Sequence, residues 1–240
     1  MKWSVKKIIN FETGGLWQEG YAQFGFHDPE GNVYFANYHE HWVAKWNGEE
    51  IEWSLGPKEP EQSRKHYPAD MMNPSYVTRL PAGEALIVSG GTRKVFRFDP
   101  VKEALDLFID AEKLGLQDIG NCEYDGDGNL WINEITGSRV WKLDPAGRLL
   151  KVFGEGEDRF GWIYDLRRGP NGHIYVLDST GFSVKKIDIH TGQIDRIAGN
   201  GESGYSGDGE MRSARHSGAV PKLILTGCGR FPSMSREIYL

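Results

Sequence analysis

Four glycines, Gly31, Gly83, Gly128 and Gly172, sit in turn-like polar stretches, and two columns of residues able to do chemistry stand at fixed distances from them. Six residues after the glycines come Asn37, Ser89, Glu134 and Asp178, each closing a short apolar run. Seven residues before them come Phe24, Tyr76, Asn121 and Asp165. Oxygen-bearing side chains that recur at one place in successive segments can converge on a common axis. There Asn121, Glu134, Asp165, Asp178 and Asn37 could bind a ligand, hold a divalent cation such as calcium or zinc, or lend a carboxylate as general base. The competing reading is that these strand-end groups satisfy turns and backbone.

Other constellations carry less. His39 and His41 in YHEHW could share a face of an extended segment and form a metal or acid–base pair, but a third ligand is missing from the local sequence. Asp125-Gly-Asp-Gly-Asn129 looks like the start of a calcium loop. The EF-hand pattern needs Gly at its sixth position and Glu at its twelfth; Leu130 and Thr136 stand there, so the segment reads as a hairpin turn. Gly199, Gly201 and Gly204 fit GxGxxG, yet more glycines and Asp208 follow where a dinucleotide site needs a helix. Lys45, Arg97, Lys142 and Lys186 form a cationic column expected on solvated strand faces, spread around the molecule rather than gathered on one ligand.

The elements that must position these residues are repeats. The anchor glycines are 52, 45 and 44 residues apart, the period of a four-stranded blade. The segments after them align without gaps. Twelve residues on stand Val43, Val95, Val140 and Val184; fifteen on, Trp46, Phe98, Leu143 and Ile187; sixteen on, Asn47, Asp99, Asp144 and Asp188. The apolar runs at Val33–Ala36, Ala85–Val88, Leu130–Ile132 and Ile174–Leu177 suit strands buried on both faces. In the strand that follows, the Val and the large apolar residue lie three positions apart, so they face opposite sides. A sheet that is apolar on both faces needs a neighbour on each, and radial stacking supplies them. The expectation is an all-β propeller with blades near 20–56, 71–110, 116–157 and 160–200, preceded by a strand at Trp3–Phe11.

The stretches FGFHDPEGNVYFANYHEHWVAKWN, CEYDGDGNLWINEITGSRVWKLDPAGRLLKVFG and LRRGPNGHIYVLDSTGFSVKKID resemble NHL repeats. RIAGNGESGYSGDG is similar to the glycine-rich inter-blade loop of bacterial NHL proteins. The resemblance covers residues 20–209 and is weaker over the second blade. It implies a propeller of about six blades, of which four are recognisable, so the ring is expected to be incomplete. It implies no single activity, because such propellers serve as interaction modules, sensor domains and lyases, and related ones are metal-dependent lactonases. A mixed Glu, Asn and Asp set around the axis is similar to the metal site of gluconolactonase-like propellers. The expected function is a binding module for a protein or small ligand. The alternatives are a lactonase- or lyase-like enzyme with its site at the channel mouth, or a non-functional product of a broken reading frame.

The last possibility comes from the tail. Residues 210–240 lack the repeat pattern. A codon set compatible with Leu225–Leu240, read one base upstream, gives FDGLWTISVDVEGNIF, which resembles an inner strand and turn such as HDPEGNVY. A frameshift after Gly209 is one reading of the tail; a genuine, divergent segment is the other.

Composition bounds the rest. The 240 residues are 39% hydrophobic and 12% aromatic, enough for a buried core. A net charge of -6 argues against nucleic-acid and anionic-membrane partners. Cys122 and Cys228 provide neither a disulfide framework nor metal-ligand spacing. The N-terminus lacks an apolar signal-peptide core and no stretch is long enough to span a membrane, so the protein is expected to be soluble and cytoplasmic.

Overall fold

The computed structural model describes residues 22–203, apart from 61, 157, 158 and 170. The expected strand at Trp3–Phe11 and the tail at 210–240 lie outside the described residues. Four antiparallel sheets follow one another along the chain, as blades of a β-propeller. The first holds β1 (Ala22–His27), β2 (Val33–Asn37), β3 (Trp42–Trp46) and β4 (Ile51–Gly56). To it is added β5 (His66–Pro68), which pairs in parallel with β4. The second holds β6 (Pro74–Arg79), β7 (Ala85–Ser89), β8 (Lys94–Asp99) and β9 (Ala104–Asp110). The third holds β10 (Cys122–Tyr124), β11 (Leu130–Glu134), β12 (Arg139–Leu143) and β13 (Leu149–Phe153). The fourth holds β14 (Ile163–Arg168), β15 (Ile174–Asp178), β16 (Ser183–Ile187) and β17 (Ile194–Ala198).

The anchor glycines explain the period. Gly31, Gly83, Gly128 and Gly172 have φ of 92°, 97°, 82° and 84°, and each N–H donates to the carbonyl three residues back. This is the left-handed position of a three-residue hairpin loop, where a side chain would clash with its own backbone. It joins the first and second strands of every blade.

The third strands bury both of their columns. Val43, Val95, Val140 and Val184 are buried, as are Trp46, Phe98, Leu143 and Ile187. In the second and third blades the two columns part as the three-residue offset requires. Val95 packs between blades two and three and Phe98 between one and two; Val140 packs between three and four and Leu143 between two and three. The hydrophobic core is therefore a series of apolar layers, one at each blade junction. Residues 57–70, which fall between the expected blades, are not a plain linker. Through β5 they cover the hydrogen-bonding edge of β4, which would otherwise be open to other strands, and Tyr67 packs against Phe98 of the next blade. Among the described residues no helix is long and apolar enough to cross a membrane.

A second left-handed column stands ten residues after the anchors: His41, Arg93, Ser138 and Phe182, with φ of 65°, 52°, 57° and 43°. The carbonyls of His41, Ser138 and Phe182 press against the glycine that ends the fourth strand, Gly56, Gly154 or Gly199. In the second blade Arg93 instead accepts a hydrogen bond from Ala111 at 3.0 Å. At Gly154, φ is 93°, and an added Cβ would lie 2.8 Å from the Ser138 oxygen and closer still to the Phe160 ring. Gly154→Ala is expected to destabilise the protein by about 1–3 kcal/mol. Urea unfolding should show a lower midpoint at an unchanged slope.

Candidate functional site

The column Asn37, Ser89, Glu134 and Asp178 is buried at the exit of each second strand. In three blades it clasps the connector entering the first strand. Ser89 Oγ accepts from the Met72 N–H at 3.1 Å, Glu134 from Gln117 at 2.7 Å and Asp178 from Gly161 at 2.9 Å. Glu134 also takes Arg139 Nε at 2.7 Å and Trp141 Nε1 at 3.1 Å. Asp178 pairs with Lys185 at 3.0 Å and accepts the Gly181 N–H at 2.8 Å. Asn37 accepts from the Glu40 N–H at 3.0 Å and donates to its carboxylate at 3.1 Å. These oxygens close turns and connectors within their own blades.

The first strands bring a different set together. Asn121 stands just before β10 and donates through Nδ2 to Asp165 on β14. Asp165 also accepts the Leu166 N–H at 2.9 Å and Arg167 Nε at 3.0 Å. Arg167 reaches back across the third blade to the second. Its Nη1 donates to the Tyr76 hydroxyl, and its guanidinium lies over the Tyr76 ring at 4.8 Å. Tyr76 on β6 donates to Glu123 on β10 at 2.7 Å, and Arg167 stands 3.7 Å from the same carboxylate oxygen. Backbone contacts hold the three strands in place. Ser75 Oγ donates to the Gly120 carbonyl at 2.6 Å, and Asn133 Nδ2 donates to the Ile163 carbonyl at 3.3 Å. Five side chains from three consecutive blades thus form one charged network on the innermost strands.

Burial sets its electrostatics. Tyr76 and Asn121 are fully buried, while the side chains of Glu123 and Arg167 are 14% and 25% exposed. Loss of water pushes the Glu123 carboxyl up to about 7, although Arg167 and the Tyr76 hydrogen bond pull the other way. Burial likewise raises Asp165 against the pull of Arg167. Burial opposes the charge on Arg167, but Tyr76, Asp165 and Glu123 outweigh it and hold the guanidinium above its ordinary range. A carboxylic acid that titrates near neutrality beside a fixed cation can exchange a proton or change charge when something binds.

Of the five residues expected to converge, the structure brings together Asn121 and Asp165 and keeps Asn37, Glu134 and Asp178 apart from them. Tyr76, from the same column as Asn121 and Asp165, joins the network. Glu123 and Arg167 escape the repeat analysis. They lie two residues further along the same strands, and the alternation of strand side chains places them on the same face as Asn121 and Asp165. Among the described residues no group of three or more His, Cys, Asp or Glu side chains is placed to hold a metal ion. His41 accepts the Asn73 N–H at 3.0 Å through Nδ1, and His39 stacks edge-on to Tyr38. Asp125 caps its own hairpin, accepting the N–H groups of Asp127 at 3.0 Å and Asn129 at 2.9 Å. The cationic column is not simply solvated. Lys45 pairs with Glu52, Arg97 with Glu84, Lys142 with Asp125 and Lys186 with Asp195, and Lys142 bridges to the Ile189 carbonyl of the next blade.

No family model and no curated protein matches the chain. Solved structures with the same fold do. Virginiamycin B lyase from Staphylococcus aureus superposes with a TM-score of 0.54 at 13% identity, over 73% of this chain and 54% of that one. A protein of unknown function from Bacteroides caccae gives 0.54 at 14% identity, over 74% and 61%. The WD40 β-propeller domain of Doa1 gives 0.51 at 13% identity, over 72% and 51%. At these identities the likeness is one of fold. The chain spans between half and two thirds of the length of these propellers.

The raised Glu123 makes stability depend on pH in a stated direction. The folded state holds this proton more tightly than the unfolded chain, whose Glu titrates near about 4.3. The stabilisation is therefore complete below that value and is lost as pH rises to about 7. Between pH 4 and pH 8 the unfolding free energy of the native protein should fall, relative to Glu123→Gln, by about 3 kcal/mol. Urea unfolding of both proteins across that range measures it.

Proposed function

We propose that the chain is built of NHL-type blades and works as a binding module, with the network on its innermost strands as the ligand site. The blade motifs that carry the NHL resemblance support the first part. The second rests on one observation: Tyr76, Glu123, Asp165 and Arg167 come from three blades and meet with a partly exposed guanidinium and a partly exposed carboxyl. Ion pairs that only brace a fold are easily replaced by apolar contacts of similar stability. This one instead keeps charged edges open to solvent.

A small polar ligand or a protein segment reaching into the channel fits that arrangement. A lyase-like enzyme is the second reading, favoured by the near-neutral Glu123, which could take a proton from a substrate positioned by Arg167. The neighbours named a lyase and a WD40 domain illustrate both uses of the fold without choosing between them.

A thermal-shift screen of metabolites and short peptides against the full chain tests the proposal. A ligand at about a hundred times its Kd stabilises by about 2.7 kcal/mol. Stabilising compounds should lose their effect on Arg167→Ala. Compounds that stabilise Arg167→Ala as well as the native protein would place the binding site elsewhere. Turnover of such a compound, abolished in Glu123→Gln, would decide for the enzyme.

A further inference from the structure

The bonding of the network leaves specific edges unused. Arg167 has five N–H donors. Nε is given to Asp165 and Nη1 to Tyr76, and the Nη2 amine makes no hydrogen bond to the described residues. Glu123 accepts from Tyr76 through Oε1, and no described residue donates to its Oε2. Neither atom is among the polar atoms that are both buried and unpartnered. The side chains of Arg167 and Glu123 are 25% and 14% exposed, so both keep part of their surface open to solvent, and Arg167 stands beside Glu123 at 3.7 Å.

The surroundings select the sign of the ligand. Glu123 is faced by Tyr76 from β6, by Arg167, Asp165 and Arg168 from β14, and by Cys122 on its own strand. Two of these groups are guanidinium cations. The oxygens of Asp165 already take three donors, from Asn121, Leu166 and Arg167. An ammonium ligand would find one free carboxyl oxygen and two competing cations. A carboxylate would find the planar amine of Arg167, the group best suited to it. Its cost is crowding: with Asp165 and an ionised Glu123, it would be the third negative charge around one guanidinium. A proton on Glu123 removes that repulsion and turns the carboxyl into an O–H donor beside the guanidinium.

Resting on the reading of this network as a binding site, we infer that it takes a small carboxylate-bearing ligand, held by Arg167 Nη2 and by a proton that Glu123 takes up from solvent as the ligand binds. The near-neutral titration of Glu123 makes this uptake accessible at ordinary pH.

Calorimetry on the full chain tests it, with propionate and succinate as probes and ethylammonium as the cationic control. Titrations run at pH 6, 7 and 8, in two buffers of different ionisation enthalpy. The carboxylates should bind at pH 6 and weaken about fivefold between pH 7 and pH 8, with proton uptake approaching one per ligand at pH 8. Arg167→Ala should abolish binding at every pH. Glu123→Gln should bind as well at pH 8 as at pH 6, because its amide N–H stands in for the acid proton. That variant keeps the test decisive if Arg167→Ala fails to fold.

Failure of both carboxylates to bind at pH 6, binding without proton uptake, binding that survives Arg167→Ala, or binding of ethylammonium instead would overturn the inference. If the carboxylates fail while the wider screen returns ligands lost on Arg167→Ala, the carboxylate assignment falls and the binding site stands. If that screen also returns nothing that depends on Arg167, both fall.

Discussion

A four-stranded sheet that is apolar on both faces cannot be stable alone, and the layered core of this molecule follows from that constraint. Each blade needs a neighbour against its apolar faces, so among the described residues the core is cut into layers at the blade junctions. Stacking brings the first strand of each blade to the inside, where neighbouring first strands lie close enough for side chains to cross from blade to blade. The Val column and the column of large apolar residues on the third strand are the two halves of that packing in the second and third blades. Their offset of three positions sends them to opposite faces. Tyr76, Glu123 and Arg167 can touch only because apolar layers hold β6, β10 and β14 in register around them.

The blades were legible because most of what makes a blade is repeated. A turn glycine, an apolar run and a β-branched third strand recur with little variation, and repetition is what a gap-free alignment detects; the second left-handed position, held by His41, Arg93, Ser138 and Phe182, has no common chemistry and only the structure shows it. The residues that close each blade were equally visible, but their role was not. Asn37, Ser89, Glu134 and Asp178 are polar in all four blades because every second strand ends where its backbone neighbours need an acceptor. A position that is polar everywhere serves the fold. The cover that residues 57–70 give to the edge of β4 was invisible because a three-residue parallel strand has no periodicity of its own.

The network shows the converse. Glu123 and Arg167 share their place on the first strands with Phe26 and Thr78, a set with no common chemistry. Alignment by similarity passes over such a column. Yet a site built between blades draws on different residues from each, here a ring, an acceptor and a donor rather than three copies of one charge. Charged residues two positions after Asn121 and Asp165, on the same strand face, are the signal that could have found Glu123 and Arg167.

Three blades meet around a carboxyl group that they hold largely, not wholly, out of water. Carbon-13 NMR of the side-chain carboxyl of Glu123, assigned by comparison with Glu123→Gln and followed through a pH titration, tests it most directly. A midpoint at about 7 is expected, moving upward in Arg167→Ala as the neighbouring cation is removed. A midpoint near about 4.3, the value of a solvated glutamate, unchanged in Arg167→Ala, would mean that Tyr76, Glu123 and Arg167 do not share a site.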